Sequence, residues 1–288
     1  MAHHPTKNLL KRQGLAPHKK LGQNFLIHQR TPRRIVDLAG LAADDQVIEV
    51  GVGLGALTRP LAEAAAKVIG LEADSGIIRM HQEQRDLPAN VELIHADVLK
   101  VDFAELKQPG KRLKIVANLP YSISSPFLFR LIEHAELFDF AVVMLQKELA
   151  QRLVARPGTK EYGAPTVLLA ACAAVEPLLV VHPAEFHPQP KVDSLVIRIT
   201  FHPQPKQVQD LGAFNRPLFT RIVHAAFGQR RKTLLNALAS GRLLEDKSRL
   251  AMALEAAGLS PSVRAETLAP GQFVRLTHTI DHALSSSP

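Results

Sequence analysis

Hydrophobic residues in the first half of the chain fall into short apolar blocks, separated by segments long enough to form a helix. Buried strands that alternate with helices are typical of a parallel sheet with helices on both faces. The pattern therefore predicts an α/β fold. The apolar blocks are Val47–Val50, Val68–Leu71, Val91–Ile94, Leu113–Ala117 and Phe140–Leu145.

Four of these blocks end at a residue that is suited to contact a ligand. In sheets of this kind, ligands bind at the carboxyl ends of the strands. Because each of the four residues lies at or just past such an end, we expect them to meet in one site. They are Gly51, Glu72, Asp97 and Asn118.

The pattern changes after residue 150. Residues Asp193–Phe201 alternate between polar and apolar side chains, as an antiparallel strand does. The proline-rich segment His202–Pro205 follows, and beyond it the apolar positions have helical spacing. We expect an α/β domain over residues 1–205, beginning with a basic segment of about 20 residues, and a small helical domain over residues 206–288.

Composition excludes several classes of protein. Hydrophobic residues make up 46% of the chain and charged residues 22%, which is typical of a globular protein. No apolar run approaches the ~18 residues that cross a membrane, so no membrane contact is expected. The single cysteine, Cys172, excludes an internal disulfide, and we expect no metal site. The N-terminal segment lacks a secretory apolar core, so a cytoplasmic location is expected.

The charge of the chain indicates an anionic partner. Lysine and arginine total 35 against 27 acidic residues, and the isoelectric point near 9.7 is typical of nucleic-acid binders. The basic residues concentrate in residues 1–36 and 198–242, which could form two edges of one phosphate-binding surface or two solvated faces. The candidate RNA-binding residues are Lys19, Lys20, Arg221, Arg230, Arg231 and Lys232.

A glycine-rich turn follows the first predicted strand. Residues 51–56, with the sequence GVGLGA, match the fingerprint of dinucleotide-binding turns, and Glu72 lies about 20 residues on, where an acid contacts ribose. Residues 49–55 also match the pattern Glu-x-Gly-x-Gly-x-Gly, which resembles motif I of methyltransferases that use S-adenosylmethionine (AdoMet). The turn alone leaves both an NAD-dependent dehydrogenase and a methyltransferase open.

The tetrapeptide Asn118–Tyr121, Asn-Leu-Pro-Tyr, separates these alternatives because it resembles motif IV of amino-methylating enzymes. The exocyclic amine of adenine is a poor nucleophile, since its lone pair is delocalised into the ring. Acceptors for its two N–H bonds, from the Asn118 side chain and the Leu119 or Pro120 carbonyl, would direct that lone pair at the methyl donor. An aromatic ring would stack on the flipped base. The candidates for this stacking are Tyr121, Phe127 and Phe186.

Six segments, in the same order, resemble the small-subunit ribosomal RNA adenine dimethyltransferases of the KsgA type. Together they cover about residues 17–280, and the last two are specific to this branch. Val52 departs from the family pattern, which usually has proline there, and Ala73 replaces a larger apolar residue. The matching segments are Lys19–Leu26, Ile48–Thr58, Met144–Glu148, Pro190–Ser194, Phe227–Leu234 and Arg264–Leu268.

The resemblance implies a Rossmann-like class I AdoMet-dependent methyltransferase domain with a small C-terminal helical domain. It implies dimethylation of N6 of two adjacent adenosines in a hairpin loop near the 3′ end of small-subunit (16S) rRNA. It also implies a monomer that acts on the immature 30S subunit during ribosome biogenesis, with the Asn118–Tyr121 loop at the target base. The implied AdoMet contacts are Asn24, Leu26, Gly51, Gly53, Glu72, Asp97 and Asn118.

Two alternatives retain the same fold. A 23S rRNA adenine methyltransferase of the macrolide-resistance type would share motifs I and IV, but the C-terminal segments favour the small-subunit branch. A non-catalytic ribosome assembly factor would share the RNA-binding surface, but the intact Asn118–Tyr121 loop argues against it.

Overall fold

The computed structural model of the protein describes residues 23–202, 205–206, 208–229, 231–244 and 246–285. The chain divides into two compact units. The first extends to Ala150 and takes in Val175–Phe201, and the second comprises Gln151–Ala174 and the chain from His202 onward. The sequence analysis assigned Gln151–Ala174 to the first domain, whereas the structure groups this segment with the C-terminal helices.

The first unit is built on a seven-stranded sheet with the strand order β4-β3-β2-β5-β6-β9-β7. The five strands from β4 to β6 are parallel, and β9 runs antiparallel to β6. The α/β fold predicted from the apolar blocks is therefore confirmed. The strands are β2 (Gln46–Val50), β3 (Lys67–Glu72), β4 (Val91–His95), β5 (Leu113–Asn118), β6 (Phe138–Gln146), β7 (Ala173–Val181) and β9 (Ser194–Phe201).

The strand order reverses direction between β2 and β5. Strands β3 and β4 extend the sheet on one side of β2, whereas β5 and β6 extend it on the other. Loops that leave two such neighbouring strands run to opposite faces of the sheet, which opens a crevice between them. The glycine turn follows β2, and the Asn118–Tyr121 loop follows β5, so both line this crevice.

Among the described residues, four helices cover the sheet of the first unit, and their sequences account for their limits. Helix α1 buries Pro32, Ile35 and Val36 on one face, and it ends at Gly40, whose φ of 58° lies in the left-handed region. Asp74 begins α3 by accepting the backbone N–H of Gly76 at 2.8 Å. The helices are α1 (Arg30–Ala39), α2 (Thr58–Ala64), α3 (Ser75–Gln84) and α4 (Ser124–Glu133).

A short two-stranded ladder ties the beginning of the described chain to the first unit. Strand β1 (Phe25–Leu26) pairs antiparallel with β8 (Phe186–His187), with Leu26 opposite Phe186. The backbone N–H of Ile27 extends the ladder by donating to the Glu185 carbonyl at 3.0 Å. This pairing fixes residues 23–26 beside the crevice.

The second unit is helical. The buried Tyr162 donates its hydroxyl to the Leu268 carbonyl at 2.7 Å, and the Gly158 N–H donates to the Glu266 carbonyl at 2.7 Å. These bonds explain why residues 151–174 group with the C-terminal helices. The helices are α5 (Lys147–Leu153, which begins in the first unit), α6 (Ala164–Ala170), α7 (Arg216–Gly228), α8 (Leu234–Ser240), α9 (Lys247–Ala256) and α10 (Pro270–Ser285).

Within the described ranges, every helix is too short or too polar to cross a membrane. The same part of the chain contains no group of three or more His, Cys, Asp or Glu side chains that could hold a metal ion.

Candidate active site

A cavity of about 420 Å³ lies at the carboxyl ends of β2, β3 and β5, inside the first unit. The structure brings all of the predicted cofactor and catalytic residues to its wall, although they come from segments up to 97 positions apart in the sequence. They are Asn24, Leu26, Gly51, Gly53, Glu72, Asp97, Asn118, Leu119, Pro120 and Tyr121.

The glycine turn has a backbone that only glycine adopts readily. Gly51, Gly53 and Gly55 have φ values of 79°, 55° and 76°, all in the left-handed region. The turn lies close to the sheet, since a Cβ on Gly70 of β3 would come within 2.6 Å of the Val52 side chain. Val52, the residue that departs from the family pattern, therefore packs the turn against β3.

Glu72 holds the glycine turn from the end of the neighbouring strand. Its Oε2 accepts the backbone N–H of Gly53 at 3.0 Å, and its Oε1 accepts that of Asp74 at 2.9 Å. Burial raises the pKa of Glu72, and these backbone hydrogen bonds oppose the rise. Each carboxylate oxygen has a second lone pair, so Glu72 can also accept hydrogen bonds from the hydroxyls of a ribose.

Glu49 is a buried acid that the sequence analysis treated only as part of a motif. It is 1% exposed and lines the cavity. Burial raises its pKa to about 8, and the charge of Glu72 adds to the effect. Within the part of the chain that the structure describes, its Oε2 has no hydrogen-bond partner. The wall of the cavity thus contains a buried, unsatisfied polar atom near the glycine turn.

The Asn118–Tyr121 loop lies directly against the glycine turn. A Cβ on Gly51 would be 3.7 Å from the Pro120 ring and 3.9 Å from the Asn118 carbonyl oxygen. The Asn118 side chain donates from Nδ2 to the Asn24 carbonyl at 3.1 Å, which leaves Oδ1 as its acceptor. The sequence motif gave no sign of this partner, because Asn24 precedes Asn118 by 94 residues.

The two carbonyls that could accompany Asn118 differ in their hydrogen bonds. The Pro120 carbonyl accepts both the Ile123 N–H and the Ser124 hydroxyl, each at 3.1 Å. Both lone pairs of that oxygen are thereby used. The geometry therefore favours the Leu119 carbonyl as the second acceptor for an amino group.

Of the three aromatic candidates for base stacking, the structure brings only Tyr121 to the cavity. Its hydroxyl shares a 2.8 Å hydrogen bond with the buried Ser194 hydroxyl, and burial raises its pKa. Phe127 is completely buried, with its ring 6.4 Å from that of Phe103, and Phe186 is 3% exposed in β8. Core packing therefore occupies both phenylalanine rings. Phe25, which no sequence motif marked as a stacking candidate, also lines the cavity.

Asp97 lies at the rim of the cavity and is more exposed than Glu72. Its Oδ1 accepts the Leu99 N–H at 3.0 Å, which closes a turn after β4, and the Lys100 ammonium lies 3.9 Å from its Oδ2. The turn holds Asp97 in the wall of the cavity, and its carboxylate can accept a hydrogen bond from an amino group.

The predicted RNA-binding residues of the second unit lie on its surface. Arg221 is exposed on α7, opposite the buried Ile222 and Val223, and Arg231 and Lys232 are exposed before α8. The remaining three, Lys19, Lys20 and Arg230, lie outside the described residues.

Comparison with known proteins identifies close relatives over nearly the whole chain. Residues 14–282 match the family described as ribosomal RNA adenine dimethylase. A protein of Desulfotalea psychrophila named ribosomal RNA small subunit methyltransferase A is 48% identical, over 97% of each chain. A protein of Alkaliphilus metalliredigens with the same name is 42% identical, over 96% of each chain.

Two solved structures share the fold. A dimethyladenosine transferase from Plasmodium falciparum superposes with a TM-score of 0.72 at 26% identity, covering 90% of this chain and 98% of the other. The 23S rRNA methyltransferase ErmE superposes with a TM-score of 0.64 at 27% identity, covering 90% of this chain and all of the other. This chain thus shares its overall fold with these two methyltransferases.

Proposed function

Because this chain belongs to the ribosomal RNA adenine dimethylase family, we propose that it dimethylates N6 of two adjacent adenosines near the 3′ end of small-subunit (16S) rRNA, with AdoMet as methyl donor. One observation carries the proposal. The glycine turn and the Asn118–Tyr121 loop are adjacent walls of a single cavity, so a donor on one wall faces an amine on the other.

The residues of the turn fit AdoMet, which has a ribose and an adenine but no pyrophosphate. Glu72 would accept the ribose hydroxyls, and Asp97 would accept the adenine amino group. The left-handed glycines allow the backbone to approach the ligand closely. When bound, AdoMet supplies an electrophilic methyl group, so this chain has no need of a strong base.

The loop of β5 would hold and orient the acceptor. Asn118 Oδ1 and the Leu119 carbonyl accept the two N–H bonds of the adenine amino group and turn its lone pair toward the turn. Tyr121, anchored by Ser194, offers its ring to the flipped base. Such stacking contributes about 1–3 kcal/mol, comparable to the few kcal/mol that flipping a base costs. Catalysis then rests on position and electrostatics.

The finer substrate is part of the same proposal. The exposed Arg221, Arg231 and Lys232 would bind rRNA phosphates of an immature 30S subunit, with the enzyme acting as a monomer. The cytoplasmic location expected from the sequence stays a prediction.

The decisive experiment is methyl transfer from labelled AdoMet to small subunits that lack the modification. The wild type should label two adjacent adenosines of 16S rRNA, and Asn118→Ala should abolish transfer while it keeps the fold and most of the AdoMet affinity. Labelling of 23S rRNA instead would favour the macrolide-resistance type. No labelling by a wild type that binds the subunit would favour an assembly factor.

A further inference from the structure

A buried histidine lies behind the glycine turn and does not line the cavity. His81, on α3, is 3% exposed. Its Nδ1 lies 2.7 Å from Asp86 Oδ1, and its Nε2 lies 2.8 Å from the Gly53 carbonyl oxygen. A carbonyl oxygen and an ionised carboxylate can only accept hydrogen bonds. Nε2 must therefore carry a hydrogen to bond to the Gly53 carbonyl, while Nδ1 faces Asp86.

Arg59 holds Asp86 from its other side. Its Nη2 lies 2.7 Å from Asp86 Oδ2, and its Nη1 donates to the Asp86 carbonyl at 2.8 Å. These two contacts fix the Asp86 residue through both its side chain and its backbone. Arg59, Asp86 and His81 thus form a chain of hydrogen-bonded groups that ends at the backbone of the turn.

The Gly53 residue is held through both of its backbone polar groups. Its N–H donates to Glu72 Oε2 at 3.0 Å, and its carbonyl accepts the hydrogen bond from His81. The ring also lies against the turn, because a Cβ on Gly55 would be 3.7 Å from the His81 ring. Since glycine has few steric limits, these bonds fix a backbone that the residue itself leaves free.

We propose that His81, held by Asp86 and Arg59, is a positioning residue that shapes the glycine turn for AdoMet. The inference rests on the proposed function, since it needs AdoMet at this turn. If the ring donor is lost, the peptide after Gly53 can rotate and carry the turn away from its binding geometry. The Asn118–Tyr121 loop bonds to other residues, so orientation of the acceptor amine should not change.

Calorimetric titration with AdoMet tests the proposal. His81→Leu removes both ring nitrogens at similar size, and its dissociation constant should rise about tenfold, as loss of a buried hydrogen bond implies. Asn90→Leu is the matched control, because Asn90 also makes two side-chain hydrogen bonds, which it donates to the backbone carbonyls of Ala62 and Ala65. Its dissociation constant should equal that of the wild type.

The outcomes separate this inference from the proposed function. A wild type that does not bind AdoMet overturns the proposed function. A wild type that binds, together with a His81→Leu variant of equal affinity, overturns only the role of His81. Kinetics add a second criterion: His81→Leu should raise KM for AdoMet and leave kcat within about twofold, whereas an equal loss of kcat would indicate general disruption.

Nitrogen NMR of the histidine rings keeps the proposal testable if His81→Leu does not fold. In the wild type, Nε2 of His81 should give the signal of a nitrogen that carries a hydrogen. Asp86→Asn removes the carboxylate but keeps a side chain of the same shape, so the ring loses its ionic partner at Nδ1 while Nε2 stays bonded to Gly53. Its AdoMet dissociation constant should rise less than that of His81→Leu. A wild-type His81 ring without a hydrogen on Nε2 would overturn the proposal.

Discussion

At the scale of single residues, the cavity combines glycines with unusual backbone angles and acids with raised pKa values. The sequence predicted Glu72, Asp97 and the glycines as site residues, because strand ends and turn spacing are local patterns. It could not predict the environment of Glu49 or the hydrogen bonds of His81, because their partners lie on other elements. Phe127 and Phe186 were named as stacking candidates on residue type alone, and their burial depends on the packed core.

Gly53 should not tolerate a side chain. A Cβ there would come within 3.2 Å of the Phe25 ring, and the φ of 55° adds the usual left-handed strain of about 1–2 kcal/mol. Gly53→Ala should therefore weaken AdoMet binding about tenfold or more by calorimetry. Gly40→Ala is the control, because Gly40 has a φ of 58° but nothing within 4 Å of its Cβ position. Equal affinities in the two variants would contradict the close packing of the turn.

Glu49 should make stability fall as pH rises. Its pKa is about 8 in the folded protein against an ordinary value of 4.5, so the folded state binds the proton more tightly. The contribution of Glu49 to the free energy of unfolding is fully present below pH 4.5 and is lost as the pH rises through 8. Each unit of difference between the folded and unfolded pKa corresponds to about 1.4 kcal/mol. The melting temperature of Glu49→Gln, measured relative to that of the wild type, should therefore increase from pH 5 to pH 9. A constant difference across that range would show that Glu49 titrates normally.

Glu72 should contribute to cofactor affinity as well as to the turn. Glu72→Ala removes the acceptor of the Gly53 N–H and the proposed acceptor of the ribose hydroxyls. The loss should be on the order of 1.5–3 kcal/mol for each charge-assisted hydrogen bond, measured as a larger AdoMet dissociation constant. An unchanged constant would contradict its place in the site.

At the scale of elements, the predicted strands agree closely with the observed ones. The apolar block Leu113–Ala117 corresponds to the observed strand β5 (Leu113–Asn118). The two agree because a buried parallel strand is apolar along its whole length. Strand β7 (Ala173–Val181) was not predicted, since it lies at the sheet edge, carries Glu176 and Pro177, and is partly exposed. The boundary between the two units also differs from the predicted one, because Gly158 and Tyr162 form hydrogen bonds to residues more than 100 positions away in the C-terminal part of the chain.

Ser194, at the start of β9, should hold Tyr121 in place in the loop that follows β5. Tyr121→Phe and Ser194→Ala each remove the 2.8 Å hydrogen bond between the two hydroxyls and keep the aromatic ring. Each should lower kcat severalfold by loosening the ring, and the double variant should be no worse than either single one. Additive losses in methyl-transfer assays would mean that the two residues act independently.

At the scale of the whole molecule, composition predicted a nucleic-acid partner but not the surface that binds it. Arg221, Arg231 and Lys232 are exposed, as a phosphate-binding role requires, but exposure is common to most arginines and lysines. The sequence motifs and the comparisons with known proteins, rather than the charge, narrow the partner to ribosomal RNA, because a basic surface neutralises any phosphate backbone equally well.

Neutralising the three exposed basic residues should weaken binding in a salt-dependent way. The triple variant Arg221→Ala, Arg231→Ala and Lys232→Ala should bind small subunits less tightly and lower the slope of log affinity against log salt by about 0.7–0.9 for each lost phosphate contact. The exposed Lys107, in the first unit, provides a control as Lys107→Ala. An unaltered slope in the triple variant would assign these residues to a solvated face.

The most direct test is a crystal structure with adenosine and sinefungin, an unreactive analogue of AdoMet. It shows whether the glycine turn holds the methyl donor while the Asn118–Tyr121 loop holds the acceptor. The account predicts ribose hydroxyls bonded to Glu72 and the amino nitrogen of the adenosine bonded to Asn118 Oδ1 and the Leu119 carbonyl. An analogue bound outside the glycine turn, or an adenosine whose amino group points away from Asn118, would contradict it.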